Sequence, residues 1–231
     1  MTHILLTGSS RGIGAAIAAA LDRPGVALVG HGTRSGLPAD FTDPDAPARL
    51  WAAAIERLGH VDVLVNNAGV FEANPIDADD AVWRDGWNRT MQVNLTAAAE
   101  LSRLAVRHWQ SRGSGGRIVN VASRAAYRGD SPAHWHYAAS KAGMVAMTKT
   151  IARGYAAEGI LAFAICPGFT MTGMAEDYLS SRGGDKLLAD IPLGRVAAPE
   201  EVAEAARWLA LEAPVSMTGA VLDVNGASYV R

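Results

Sequence analysis

With 231 residues the chain is sized for one α/β domain, and its 49% hydrophobic and 19% charged residues, at a mean hydropathy of +0.08, supply a buried core and exclude a disordered polymer. Lys plus Arg total 21 against 23 Asp plus Glu, a formal charge of −2, so no nucleic-acid surface is expected. One cysteine, Cys166, excludes an internal disulfide and a thiolate metal cluster and fits a reducing compartment.

The first apolar run, His3 to Leu6, is too short for a signal-peptide core or a membrane span, and a soluble, cytoplasmic protein is expected. Thr7-Gly8-Ser9-Ser10-Arg11-Gly12-Ile13-Gly14 follows it and opens a segment of helical period, Ile13 to Leu21. Glycines between a strand and a helix let the backbone turn tightly and approach a pyrophosphate, whose charge then rests on the free N–H groups of the helix N-terminus. The spacing is G-x-x-x-G-x-G with no G-K-[ST] after it, which points away from a nucleoside-triphosphate loop.

A second strand, Val26 to Val29, runs into Gly30-His31-Gly32-Thr33, where a carboxylate for the ribose 2′-hydroxyl of NAD would ordinarily stand. Arg11 in the glycine turn and Arg34 past the strand offer guanidinium groups that suit a 2′-phosphate. NADP(H) is favoured, with NAD(H) open. Between this strand and Asp40 to Asp43 too few residues remain for a crossover helix, so a loop and a very short third strand are expected.

Further strands are expected at Val61 to Val65, Arg117 to Val121, Leu161 to Ile165 and Ala220 to Val224, and helices at Pro47 to Leu58, Ala78 to Gln110, Tyr137 to Glu158 and Glu200 to Leu211. The strand runs are continuous rather than alternating, as in strands buried on both faces. Alternating strand and helix predict a single Rossmann-like, doubly wound parallel sheet flanked by helices over residues 1–231, with the helix after strand two shortened or absent.

The glycine turn, Asn66-Asn67-Ala68-Gly69 and Tyr137-Ala-Ala-Ser-Lys141 together resemble the short-chain dehydrogenase/reductase family, and the likeness runs essentially end to end. Ile191-Pro-Leu-Gly-Arg195, Pro199-Glu-Glu201 and Thr218-Gly-Ala-Val-Leu-Asp-Val-Asn-Gly226 look most like its 3-oxoacyl-acyl-carrier-protein reductase branch. The resemblance places Asn94, Ser123, Tyr137 and Lys141 at catalytic positions. It puts Pro167, Gly168, Thr170 and Thr172 around the nicotinamide end, Asp40 and Phe41 beside adenine, and Asn67, Ala68 and Gly69 beside the adenosine ribose. With Gly8, Ser10, Arg11, Gly12, Ile13, Gly14, His31, Arg34, Tyr137 and Lys141 these form the expected cofactor site.

Ketone reduction needs a hydride at carbon and a proton at oxygen. Tyr137 is the candidate acid. A free phenol costs about 4 kcal/mol to ionise at pH 7, and an ammonium at about 4 Å contributes about 4 kcal/mol at an effective dielectric near 20. Lys141, four residues on and on the same helix face, is therefore expected to acidify it. Ser123 would donate to the substrate oxygen, and in the family's picture Asn94 holds a water near Lys141. His3, His31, His60, His108, His134 and His136 show no ligand spacing, so no metal is expected.

His134, Trp135 and Phe169 are the candidate substrate contacts, and Met174 to Leu188 is read as either a lid with a Gly hinge at Ser180 to Asp185 or a plain surface loop. A small carbonyl or alcohol substrate is expected, with a 3-oxoacyl thioester implied by the resemblance. Ala78 to Gln110 and Tyr137 to Glu158 carry surplus apolar surface, suggesting a homotetramer or homodimer. The competing readings are an NAD(H)-dependent alcohol or sugar dehydrogenase and a non-catalytic NADPH-binding regulator, which would leave Ser123, Tyr137 and Lys141 idle.

Overall fold

The computed structural model describes residues 1–171 and 188–231. The strands are β1 (Thr2–Leu6), β2 (Val26–Gly32), β3 (Leu37–Pro38), β4 (Val63–Asn66), β5 (Gly116–Val121), β6 (Ile160–Pro167) and β7 (Val221–Val224). They form one seven-stranded sheet in the order β3-β2-β1-β4-β5-β6-β7. Every neighbouring pair is parallel; Leu5, for example, lies between Val29 and Leu64. Strand order reverses between β1 and β4, which opens a crevice at their carboxyl ends, the place where ligands bind in such sheets.

The helices are α1 (Gly12–Leu21), α2 (Ala46–Leu58), α3 (Asp80–Met91), α4 (Ala97–Arg112), α5 (Ala125–Arg128), α6 (Trp135–Tyr155) and α7 (Pro199–Leu211). Both faces of the sheet are covered, which explains the continuous apolar runs. Ile4 and Leu6 pack with Ile17 and Leu21 of α1 and Val202 and Leu209 of α7. Leu5, between them, joins Leu50 and Trp51 of α2 and Leu101 of α4 on the other face. β4 repeats the alternation, Val63 and Val65 to one layer and Leu64 to the other.

A buried polar chain crosses the second layer. Asn66 Nδ2 donates to Asn120 Oδ1 at 2.9 Å, and Asn120 Nδ2 donates to Thr148 Oγ1 at 2.8 Å. This ties the ends of β4 and β5 to α6, which carries Tyr137 and Lys141.

No helix follows β2: residues 33–36 form a loop, and β3 is a two-residue edge strand whose Leu37 pairs with His31. The expected single helix from Ala78 to Gln110 is interrupted. A π-helical turn, Gln92–Thr96, separates α3 from α4. One wider turn leaves the helical rise intact, so hydrophobic period alone does not reveal it. Among the described residues no helix is long and apolar enough to cross a membrane.

Trp109 is fully buried in α4, and its indole N–H donates to the Val61 carbonyl at 2.7 Å. A Cβ on Gly116 would stand 2.1 Å from the indole ring. Gly116→Ala should therefore destabilise the protein by about 3 kcal/mol through overpacking, lowering Tm by roughly 6–12 °C in a chain of this size. Calorimetry of the variant checks this, and an unchanged Tm would contradict the packing described.

Candidate active site

The glycine turn lies at the carboxyl end of β1. Gly8 and Gly12 have φ of +67° and +53°, which favour glycine. A Cβ on Gly14 would fall 1.8 Å from the Gly8 carbonyl oxygen, and one on Gly8 would fall 2.8 Å from the Ala68 backbone. No side chain caps α1 at Arg11, so the first N–H groups of the helix are open to an anion. Arg11 and Arg34 are exposed and make no ion pair among the described residues. Ser10 is exposed and Ile13 half-buried on the same turn.

Three groups hold this turn. Asn67 Nδ2 donates to the carbonyls of Thr7 and Gly8 at 3.1 and 2.9 Å. The hydroxyl of Thr7 accepts the N–H groups of Asn67 and Ala68, both at 3.0 Å. His31 supplies the third. Its Nδ1 accepts the Gly8 N–H at 3.2 Å, its Nε2–H donates to the Ala39 carbonyl at 3.0 Å, and its ring stacks on Phe41 at 4.4 Å. Burial lowers the His31 pKa below its ordinary 6.5, more than the bond to Ala39 raises it, so the ring is neutral at pH 7.

These contacts bear on three expectations. His31 is 3% exposed and turned inward, so it shapes the glycine turn and has neither ring nitrogen free for a 2′-phosphate. Phe41 is 5% exposed beneath it, leaving Asp40 as the surface member of the pair expected beside adenine. The Asn67 amide is spent on the turn. The flanking glycines of β2 also have a reason: a Cβ on Gly30 would meet Ser9 Oγ at 2.4 Å.

Ser123, Tyr137 and Lys141 converge past the ends of β4 and β5. Ser123 follows β5, its Oγ accepts the Ala125 N–H at 3.1 Å, and its hydroxyl lies near enough to the Tyr137 phenol to pull that group's pKa down. One turn along α6, Lys141 Nζ donates to the Val121 carbonyl at 2.9 Å and lies 5.8 Å from the centre of the Tyr137 ring. Asn94, in the π-helical turn, is fully buried. Its Oδ1 accepts the Val70 N–H at 2.8 Å, and its Nδ2 donates to the Val70 carbonyl at 3.0 Å and to Ser140 Oγ at 3.3 Å. Asn94 thus pins the loop after β4 to α6. Gly69 passes between, where a Cβ would be 3.3 Å from Asn94 Oδ1 and 3.5 Å from Lys141 Nζ.

The electrostatics differ from the expected acidification of the phenol. Burial pushes Tyr137 up to about 12, with the Ser123 hydrogen bond opposing, and burial pushes Lys141 down to about 8. Desolvation disfavours both charges, and the ammonium lies against the ring rather than overcoming that loss. Tyr137 is therefore a protonated phenol, and Lys141 a cation close to giving up its charge. Burial likewise raises the Cys166 thiol to about 11, as suits a small core residue.

Beside Tyr137, the His134 ring stacks on Phe71 at 4.0 Å, and Phe71 meets the Tyr137 ring edge-on at 4.7 Å. Phe71 carries no motif and escaped the sequence reading; its signal is only its place after Gly69. Trp135 is 51% exposed and sits two residues before Tyr137, on a different helix face, so it does not join this shelf. Phe169 packs with Ile191 and Val196 and lies under the Arg124 guanidinium at 4.8 Å. Gly168 follows β6 where a Cβ would strike Asn225 at 2.8 Å, and Thr170 is buried beside it, its Oγ1 donating to the Gly168 carbonyl at 3.3 Å. Thr172 and the segment 174–187 lie outside the described residues. The motif residues Arg195 and Glu201 form a two-pronged ion pair at 2.7 and 2.9 Å, and Glu201 accepts the Ala198 N–H at the start of α7.

Residues 8–227 match the family model described as Enoyl-(Acyl carrier protein) reductase. The chain is 33% identical to the 3-oxoacyl-[acyl-carrier-protein] reductase of Vibrio cholerae, over 98% of this chain and 96% of that protein. It is 36% identical to the cis-4-hydroxycyclohexanecarboxylate dehydrogenase of Sinomonas cyclohexanicum, over 96% of this chain and 94% of that protein. Among solved structures, an NADP-bound protein of Agrobacterium tumefaciens, described as a 2-deoxy-d-gluconate 3-dehydrogenase, matches with a TM-score of 0.89 and 30% identity, over 100% of this chain and 97% of that one.

The role of His31 is open to a direct test. His31→Phe keeps the ring and its stacking but leaves the Gly8 N–H and Ala39 carbonyl unpaired, a loss worth about 1–3 kcal/mol. Dinucleotide affinity should fall about tenfold while kcat changes less than threefold. An unaltered Kd would show that the turn does not need the imidazole.

Proposed function

The chain belongs to the short-chain dehydrogenase/reductase family, and from that premise we propose that it is an NADP(H)-dependent carbonyl reductase that converts a ketone to a secondary alcohol. The observation that carries this reading is the convergence of Ser123, Tyr137 and Lys141 beside a glycine turn with open N–H groups.

Cofactor choice follows from charge. No carboxylate stands at the end of β2, and Arg11 and Arg34 are exposed on either side of the turn. The NADP-bound relative supports the same choice. Gly8, Gly12 and Gly14 would take the pyrophosphate, Asp40 would lie at the adenine end, and Pro167, Gly168 and Thr170 would lie at the nicotinamide end. A bound reduced nicotinamide supplies the hydride. Ser123 donates a hydrogen bond to the substrate carbonyl and polarises it. Tyr137 gives its hydroxyl proton to the oxygen as the carbon becomes tetrahedral, and the ammonium of Lys141 stabilises the phenolate left behind. With its pKa pushed up to about 12, the phenol carries the proton that reduction requires at neutral pH.

The relatives act on an acyl thioester, an alicyclic hydroxy acid and a sugar acid by name, and the aromatic shelf of Phe71 and His134 suits a flat or cyclic ketone as well as a 3-oxoacyl chain. Assembly as a homotetramer or homodimer through α3, α4 and α6 is part of the same reading. It is supported by the exposed Val82 and the stacked Trp83 and Trp87 on α3.

Tyr137→Phe should cut kcat on an accepted ketone by about 10²–10⁴-fold while NADPH binding stays within about twofold. In the wild type, Lys141 is charged below about 8, so kcat/KM for reduction should fall as pH rises through that value. A variant with full turnover, or a flat profile from pH 6 to 10, would remove these assignments. The pair Arg11→Ala and Arg34→Ala should lower the NADPH over NADH preference in kcat/KM at least tenfold, about 1.4 kcal/mol. An unshifted ratio would instead favour NAD(H) use.

A further inference from the structure

Parallel strands begin on one edge of the sheet and end on the other, and the edge opposite the catalytic residues gathers two histidines and a carboxylate. His3 lies at the start of β1, four residues before Thr7, or about 13 Å of extended strand. His60 and Asp62 lie in the chain entering β4, 57 and 59 residues further along. Nδ1 of His3 is 2.9 Å from Nε2 of His60 and 3.2 Å from Oδ2 of Asp62, and Nε2 of His60 is 3.3 Å from Oδ1 of Asp62. The ligand atoms all lie within 4.8 Å of one another.

With neutral rings, one N–H can bridge the two imidazoles, but protons satisfy only part of this triangle. An imidazole nitrogen either carries a hydrogen or offers a lone pair. If both nitrogens carry hydrogens for Asp62, two N–H groups face each other at 2.9 Å. If either lacks one, its lone pair faces a carboxylate oxygen. A cation at the centre meets all three ligands with lone pairs. Ligand atoms about 2.0–2.2 Å from a tetrahedral ion stand roughly 3.3–3.5 Å apart, close to the spacing found here.

We propose that His3, His60 and Asp62 bind a divalent ion of the zinc class, with water completing its coordination. The site is preorganised by the backbone: the His3 N–H donates to Asp62 Oδ2 at 2.8 Å, and the Asp62 N–H donates to the His3 carbonyl at 2.8 Å. The three side chains are 17, 28 and 36% exposed, so an ion can enter from solvent. Neighbouring groups leave the centre free. His108 Nε2 accepts the Val61 N–H, and the Arg117 guanidinium donates to the carbonyls of Leu209 and Ala213. The ion would staple the start of β1 to the entry of β4 and stabilise the folded state by binding it alone.

The test uses untagged, full-length protein stripped with EDTA. Calorimetric titration with Zn²⁺ should give one ion per chain, Co²⁺ should develop the visible bands of a tetrahedral site, and excess Zn²⁺ should raise Tm by several degrees. The double variant His3→Gln, His60→Gln should lose all three responses. Asp62→Asn, which retains an acceptor for the His3 N–H, should bind at least tenfold more weakly and remains informative if the double variant does not fold. Reductase activity should stay within twofold in EDTA. Zn²⁺ acting equally on the wild type and the variants, or on neither, overturns the proposal.

Discussion

Holding a buried ammonium against a half-buried phenol is the constraint on which the candidate site depends. Lys141 is 4% exposed, and its charge survives burial because the Val121 carbonyl accepts from it and the Tyr137 ring lies beside it. Each support comes from a different element, one the last residue of β5 and the other the first turn of α6. The polar chain from Asn66 through Asn120 to Thr148 fixes those elements against each other. The same desolvation that costs stability holds the phenol protonated and brings the cation near its point of discharge.

The cofactor side is governed by lack of room rather than by charge burial. Backbone passes within contact of backbone at Gly8 and Gly14, the Ser9 side chain crowds Gly30, and the turn is held by Thr7, Asn67 and a neutral His31. A neutral imidazole fits this place because it has one acceptor for Gly8 and one donor for Ala39. The absence of a carboxylate at the end of β2 is thus matched by a ring that has a different task. Positive charge is left to Arg11 and Arg34 at the surface.

Asn94 links the two halves. A π-helical turn brings its amide to the backbone of Val70, and the segment it pins carries Gly69 past Lys141 and Phe71 against Tyr137. A one-residue irregularity in a long helix thereby sets both the room above Lys141 and the placement of Phe71 against Tyr137.

Strand runs, helix periods and the residue count after β2 were sufficient for the sheet, its parallel sense and the missing crossover helix, because these follow from short-range pattern and chain length. The glycine turn was legible from its place between strand and helix, whereas Ser123, Tyr137 and Lys141 were singled out by their resemblance to a family pattern, and the structure brings these three together. Side-chain direction was not legible. His31, Phe41 and Asn67 turn inward because of partners more than a strand away, and no local pattern encodes which face a loop residue presents. The upward shift of Tyr137 also depends on how the surrounding elements together desolvate its hydroxyl. The approach of His3 to His60 and Asp62 arises in the same way: parallel pairing of β1 with β4 joins positions whose separation along the chain conceals any ligand spacing.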